Sequence, residues 1–152
     1  MDRLQWYDEW EESTVLPEEG SLDSAARPLA GRAARTASSK DALLREEEGV
    51  TVWRGIDPQT VGTGISLARA TFAPGTRIAP HWHSQDTVAY LVDGRAVLRS
   101  GEELRDVLEM EPGNWLFVPA GLVHDEFTPD DVHGEFLYAR DGGGGTTTFV
   151  DD

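Results

Sequence analysis

Two stretches constrain this chain more than anything else in it: Gly75-x5-His81-x-His83 and, further on, Gly113-x5-Pro119-x-Gly121-x2-His124. Side chains at i and i+2 of a strand share a face, so a strand through His81 and His83 sets both imidazoles on one side and Trp82 on the other. His124 follows Pro119-Ala120-Gly121, a Pro and Gly pair suited to a tight turn, and Leu122 to Phe127 alternates like a strand. A neighbouring strand then supplies a third nitrogen to the same ion. Imidazole suits zinc, iron, nickel and copper, and three protein ligands leave positions open for water or substrate. That is the ligand count of a catalytic site. His133 stands outside both stretches, after Asp130-Asp131, and is expected on the surface.

From Val50 onward the chain consists of short β-branched and aromatic runs punctuated by Gly, Pro and Asp, the pattern of an all-β barrel or sandwich. Strands are predicted over 50–54, 64–72, 87–92, 95–100, 104–110, 115–118, 122–127 and 134–140. Asp93-Gly94 predicts a hairpin with a primed turn, and Ser100-Gly101-Glu102 a second turn. Alternation from Thr87 turns Ala89 and Leu91 inward and Tyr90 outward; of the pairs Trp115/Phe117 and Leu116/Val118, one faces the pocket and the other packs outside.

The flanks read differently. Residues 1–49 form an N-terminal arm in which Trp6, Tyr7 and Trp10 call for a surface to cover, and Ser21 to Ser39 has the composition of a linker. A short helix is predicted from Lys40 to Glu48, capped by Ser39 and stopped by Gly49. The barrel proper is expected over 50–140. Residues 141–152 form a tail, with a flexible glycine run at 142–145 and an edge strand or a frayed end at 146–150.

Composition narrows the function. A chain of 152 residues suits one modest core, and a formal charge of −15 leaves no basic stripe for nucleic acid or an anionic membrane. Without cysteine there is neither a disulfide framework nor a thiolate ligand, so a metal must use nitrogen and oxygen. No apolar run approaches the roughly 20 residues of a membrane span, and a cytoplasmic location is expected.

The two histidine stretches resemble the paired motifs of the cupin superfamily, Gly-x5-His-x-His-x3-4-Glu-x6-Gly and Gly-x5-Pro-x-Gly-x2-His-x3-Asn. The first is matched from Gly75 through His81 and His83 to Gly94, the second from Gly113 through Pro119 and Gly121 to His124. Two positions depart from the pattern: Thr87 stands at the usual glutamate ligand and Thr128 at the usual asparagine. The resemblance implies an all-β, cupin-type double-stranded β-helix (jelly-roll) barrel with an N-terminal extension, commonly a homodimer. The dimer face and the arm would bury Tyr90, Trp82 and the N-terminal aromatics. His81, His83 and His124 are the expected metal ligands, with Thr87 not coordinated. A threonine in place of glutamate leaves three neutral nitrogens and a nearly dipositive ion, which favours iron, zinc, nickel or copper over manganese and magnesium. Gln85, Asp86 and Glu126 are candidates for the empty fourth position. Glu126 lies on His124's face, as a ligand or as a catalytic proton-transfer group whose pKa burial would raise. Similarity to three-histidine cupin dioxygenases implies an iron enzyme acting on a small oxygen-bearing substrate. A zinc lyase or isomerase and a non-catalytic small-ligand binder are the alternatives.

Overall fold

The computed structural model describes residues 42–57, 64–141 and 147–150, and these form two antiparallel sheets face to face. The first sheet runs β1-β2-β3-β10-β5-β8, from β1 (Leu43–Glu47), β2 (Val50–Ile56), β3 (Ile65–Phe72), β5 (Thr87–Gly94), β8 (Trp115–Val118) and β10 (Gly134–Asp141). The second runs β11-β4-β9-β6-β7, from β4 (Arg77–His83), β6 (Ala96–Ser100), β7 (Asp106–Met110), β9 (His124–Phe127) and β11 (Thr147–Phe149). This is the expected all-β jelly roll. Between the sheets lie Ala70, Phe72, Ala89, Leu91, Ala96, Leu98, Met110, Val118 and Phe136. Fully burying Leu91 and Leu98 contributes about 2–3 kcal/mol each.

The alternation read from the sequence holds along β5, where Thr87, Ala89 and Leu91 are buried and Val88 and Val92 are exposed. The choice at β8 is settled: Val118 packs in the core and Leu116 against it, while Trp115 and Phe117 are 80% and 59% exposed. Tyr90, on the outer face, packs against Trp115 with ring centroids 4.6 Å apart and planes tilted by 49°, and Trp82 is half-buried. Trp6, Tyr7 and Trp10, together with the linker and the glycine run at 142–145, lie outside the described residues.

Two local expectations are corrected. The helix predicted over Lys40–Glu48 is replaced at 43–47 by β1, paired with β2 in the register Glu47↔Val50. Glu48 and Gly49, with φ of 35° and 87°, form the two-residue loop between them, so the primed hairpin turn is here. Three glutamates at the carboxyl end of a helix oppose its dipole, and pairing with β2 wins over weak helix propensity. The sheet thus takes in residues on the arm side of the expected boundary at 49/50.

Conversely, Asp93-Gly94 is not a hairpin: β5 and β6 belong to different sheets, and the chain crosses between them at this point. Gly94 is required for another reason. Its φ is +84°, and a Cβ there would lie 1.8 Å from the carbonyl oxygen of His133, which accepts from Arg95 N at 2.9 Å. The turn expected at Ser100-Gly101-Glu102 does join a hairpin, β6 to β7, with Ser100 opposite Asp106. At the C-terminal end, Thr147–Phe149 adds the edge strand β11 to β4.

Candidate metal centre

Strand pairing assembles the site. His81 on β4 is the direct cross-strand partner of His124 on β9, and their ring centroids are 4.3 Å apart. His83, two residues along β4, faces the same way, 4.8 Å from His81 and 5.2 Å from His124. The β4–β9 register slips between Ile78 and His81, a stretch that contains Pro80, whose missing N–H cannot serve a regular ladder. Downstream, Pro119 and Leu122 close the expected turn through a 3.2 Å bond. Gly121 takes a φ of 78° and its N–H donates to the His83 carbonyl at 2.8 Å, so the loop before His124 is tied to the strand carrying the other two histidines.

All three imidazoles are buried, and one ligand atom from each lies within 4.8 Å of the others. Nitrogens sharing one ion at about 2.0–2.1 Å stand about 3.3 Å apart, so the rings would turn inward on binding. In each ring Nδ1 has a fixed partner: the Ala79 carbonyl at 2.8 Å for His81, the Leu122 carbonyl at 2.9 Å for His124, and Thr147 Oγ1 at 3.2 Å for His83. Carbonyls only accept, so Nδ1 of His81 and His124 is protonated, and in His83 the donation of Arg140 Nη2 to Nε2 at 2.9 Å leaves the proton on Nδ1; each ring in its neutral form then presents an Nε2 lone pair, the tautomer a metal ligand needs. Nε2 of His124 is buried without a hydrogen-bond partner. A buried ring nitrogen without a hydrogen-bond partner beside two more imidazoles fits a divalent transition metal, and the absence of thiolates is compatible with it.

Electrostatics favour neutral rings at His81 and His83. Burial lowers the pKa of His81, partly offset by the Ala79 carbonyl, and burial together with the Arg140 guanidinium lowers His83 to about 3. For His124, burial is outweighed by Glu126 and the Leu122 carbonyl, and the pKa rises. Glu126 Oε1 lies 3.4 Å from His124 Nε2, an ion-pair distance without the alignment of a hydrogen bond. Burial would raise the Glu126 pKa, as the sequence suggested, but His124 outweighs it and the carboxyl is held below its ordinary range. This corrects the expectation of a raised pKa.

The histidines and Glu126 line one cavity of about 590 Å³. Thr87 is also on its wall. Gln85 and Asp86 are not: Asp86 instead accepts from Ala120 N at 2.8 Å in the loop, which leaves Glu126 as the carboxylate beside the cluster. Thr128, at the family's asparagine position, is buried and structural, bonding to Ala73 O and Thr76 N. His133 is on the surface, paired with Asp93 at 3.0 Å.

Three further residues belong to the site. Arg140 on β10 is the cross-strand partner of Thr87, and Thr147 and Phe149 on β11 are the partners of His83 and His81. Arg140 was legible in principle: it shares parity with Phe136 and Tyr138, so an arginine stands on the inward-facing side of the strand.

A family model described as the cupin domain matches residues 68–140, the span from β3 to β10 that holds all three histidines. Residues 68–140 are a cupin domain. Solved structures agree on the fold. Oxalate decarboxylase from Bacillus subtilis at pH 4.6 superposes with a TM-score of 0.64 at 23% identity over 74% of this chain and 30% of that one. A deletion mutant of the same enzyme gives 0.68 at 22% identity, over 79% and 33%. A third, studied for its Mn(II) centres, gives 0.67 at 22%, over 79% and 33%. The chain thus spans about a third of the length of these enzymes. A comparison with curated protein sequences finds no match.

Proposed function

We propose that this cupin is a metal-dependent enzyme acting on a small oxygen-bearing molecule, and that it works as a non-haem iron dioxygenase. The observation that carries this reading is the convergence of three buried imidazoles on one wall of a cavity, with threonine rather than a carboxylate at the remaining motif position. His81, His83 and His124 would hold the ion, and bound iron would supply dioxygen chemistry and a point of attachment for the substrate. The chain's own residues do the rest. Val52, Phe72, Leu116 and Phe136 make an apolar wall that keeps water from the reacting molecule. Glu126, ionised beside His124, accepts a proton from the bound substrate and returns it.

The position of Glu126 also favours a second reading, a zinc lyase or isomerase in which that carboxylate moves a proton between carbon and oxygen atoms of the substrate. Oxygen uptake by the iron-loaded protein offered β-diketones, phenolics or thiol acids, abolished in His124→Ala, supports the dioxygenase. Anaerobic turnover with zinc supports the second reading and refutes the first. Tight binding without turnover under either condition leaves a ligand-binding cupin.

The protein works as a homodimer in this reading. Trp115, Phe117, Val88, Val92 and Leu137 leave the outer face of the first sheet apolar and exposed. Among the described residues no helix is long and apolar enough to cross a membrane. A monomer by light scattering would refute the dimer.

A further inference from the structure

Arg140 brings a cation into the cavity beside the histidines, and the residues that hold it are all neutral. Its Nε donates to Thr87 Oγ1 at 2.9 Å, its Nη2 donates to His83 Nε2 at 2.9 Å, and its Cζ lies 4.9 Å from the centre of the Tyr138 ring. Among the described residues no carboxylate is within ion-pair range of it, whereas Arg54, which also lines the cavity, is paired with Asp57. A guanidinium offers five N–H donors, and two are committed here. Of the charged groups on the same cavity wall, the Glu126 carboxylate attracts Arg140 from beyond ion-pair range and the Arg54 guanidinium repels it, so the cation is only partly compensated. A chain with 28 acidic residues had ample means to supply a partner. Where the family motif has a glutamate, this chain has Thr87, which orients the guanidinium through an uncharged oxygen.

Arg140 also stands in direct relation to the ion. The single lone pair on His83 Nε2 accepts from Nη2 and is the same lone pair a metal would take, and it cannot serve both. Metal binding therefore releases Nη2 while Thr87 and Tyr138 still hold the rest of the side chain. With an ion held there, the freed donors and the ion would be two neighbouring positive groups facing the cavity, against the single Glu126 carboxylate beside His124.

We propose that this cavity binds a small monocarboxylate with an apolar body, its carboxylate taken by the planar fork of Arg140 next to the metal. The fork matches a carboxylate in shape as well as charge. The apolar side is provided by Val52, Ala70, Phe72, Leu116 and Phe136, and about 590 Å³ lies within the usual range for small-ligand sites, with room for an aryl or branched alkyl group. This inference rests on the metal-site reading above and names the substrate class for it.

The test uses the full chain loaded with Co(II), whose visible bands report ligands near the ion. The probes are benzoate, phenylacetate, the neutral benzamide and inorganic phosphate. Benzoate and phenylacetate are expected to bind the wild type and shift the bands, with benzamide and phosphate much weaker. Arg140→Gln should weaken benzoate by about tenfold or more while cobalt stoichiometry is unchanged, and Arg140→Lys should recover part of the loss. Thr87→Val keeps the charge but loosens its orientation, and should weaken benzoate by about three- to tenfold, so the proposal stays testable if Arg140→Gln does not fold. Equal benzoate affinity in the wild type and the variants overturns the proposal, as does benzamide or phosphate binding as tightly as benzoate. Calorimetry with benzoate on the metal-free protein separates the two readings. Arg140-dependent binding there, with no cobalt bound by the wild type, would retain the anion site and reject the metal centre; cobalt bound with no preference for the carboxylate would do the reverse.

Discussion

Replacing Thr87 by valine tests how the site is held together. The side chain is 6% exposed and its Oγ1 accepts from Arg140 Nε at 2.9 Å. Valine keeps the shape, so no cavity opens, but one N–H of an enclosed guanidinium loses its acceptor. A hydrogen bond to a charged group contributes about 1.5–3 kcal/mol. For a domain of this size each kcal/mol moves Tm by about 4 °C, so Thr87→Val should melt about 6–12 °C below the wild type in EDTA. Thr87→Ser keeps the hydroxyl and deletes one methyl, at a cost of about 1 kcal/mol, so it should melt between the two. Differential scanning calorimetry of the three metal-free proteins is the assay. If Thr87→Val melts at or above the wild-type temperature, the hydroxyl does not hold Arg140 and the reasoning is refuted.

Further predictions follow from the fold and the histidines. Gly94→Ala should destabilise by more than about 2 kcal/mol, because a left-handed backbone and a Cβ driven into the His133 carbonyl act together; a urea midpoint unchanged from wild type would contradict this. Thr147→Val removes the partner of His83 Nδ1 and should weaken metal binding by about tenfold, read by competition with a chelator, and an unchanged affinity would mean β11 does not orient the ring. The metal-free protein should lose stability on acidification. His83 stays neutral when folded down to about pH 3, whereas in the unfolded chain it takes up a proton near pH 6.5. The unfolded state then binds more protons between these values, and stability falls as pH falls through that window. His81, also lowered, adds to the loss, as does the lowered Glu126 below about pH 4.5, whereas the raised His124 gains stability on acidification only above about pH 6.5, outside this window. Urea midpoints from pH 7 to 4 should flatten in His83→Asn, and an identical slope would refute the assignment.

The second half of the barrel was legible because its signals are local. The alternation of β5 and β10, the turn at Pro119 and the i, i+2 histidines each depend on a few neighbouring residues. The failures share the opposite property. Glu48-Gly49 and Asp93-Gly94 both suit a primed turn, and which one closes a hairpin depends on where β2 and β6 pair, which no local window contains. The same holds at the site. That His81 and His124 meet was inferred from spacing, but the contacts of Thr87 with Arg140 and of His83 with Thr147 are cross-strand neighbours 53 and 64 residues apart in the chain. Glu126 shows the limit for electrostatics: its parity placed it beside His124, yet the sign of its pKa shift required weighing burial against that imidazole.

His81, His83 and His124 are expected to hold one divalent transition metal. Elemental analysis of the purified protein tests it most directly, alongside His83→Ala and Thr87→Val. About one equivalent of metal per chain is expected in the wild type and in Thr87→Val, and its loss from His83→Ala. A wild-type protein that stays empty when offered iron, zinc, nickel or copper, or equal loss of metal from both variants, would contradict it.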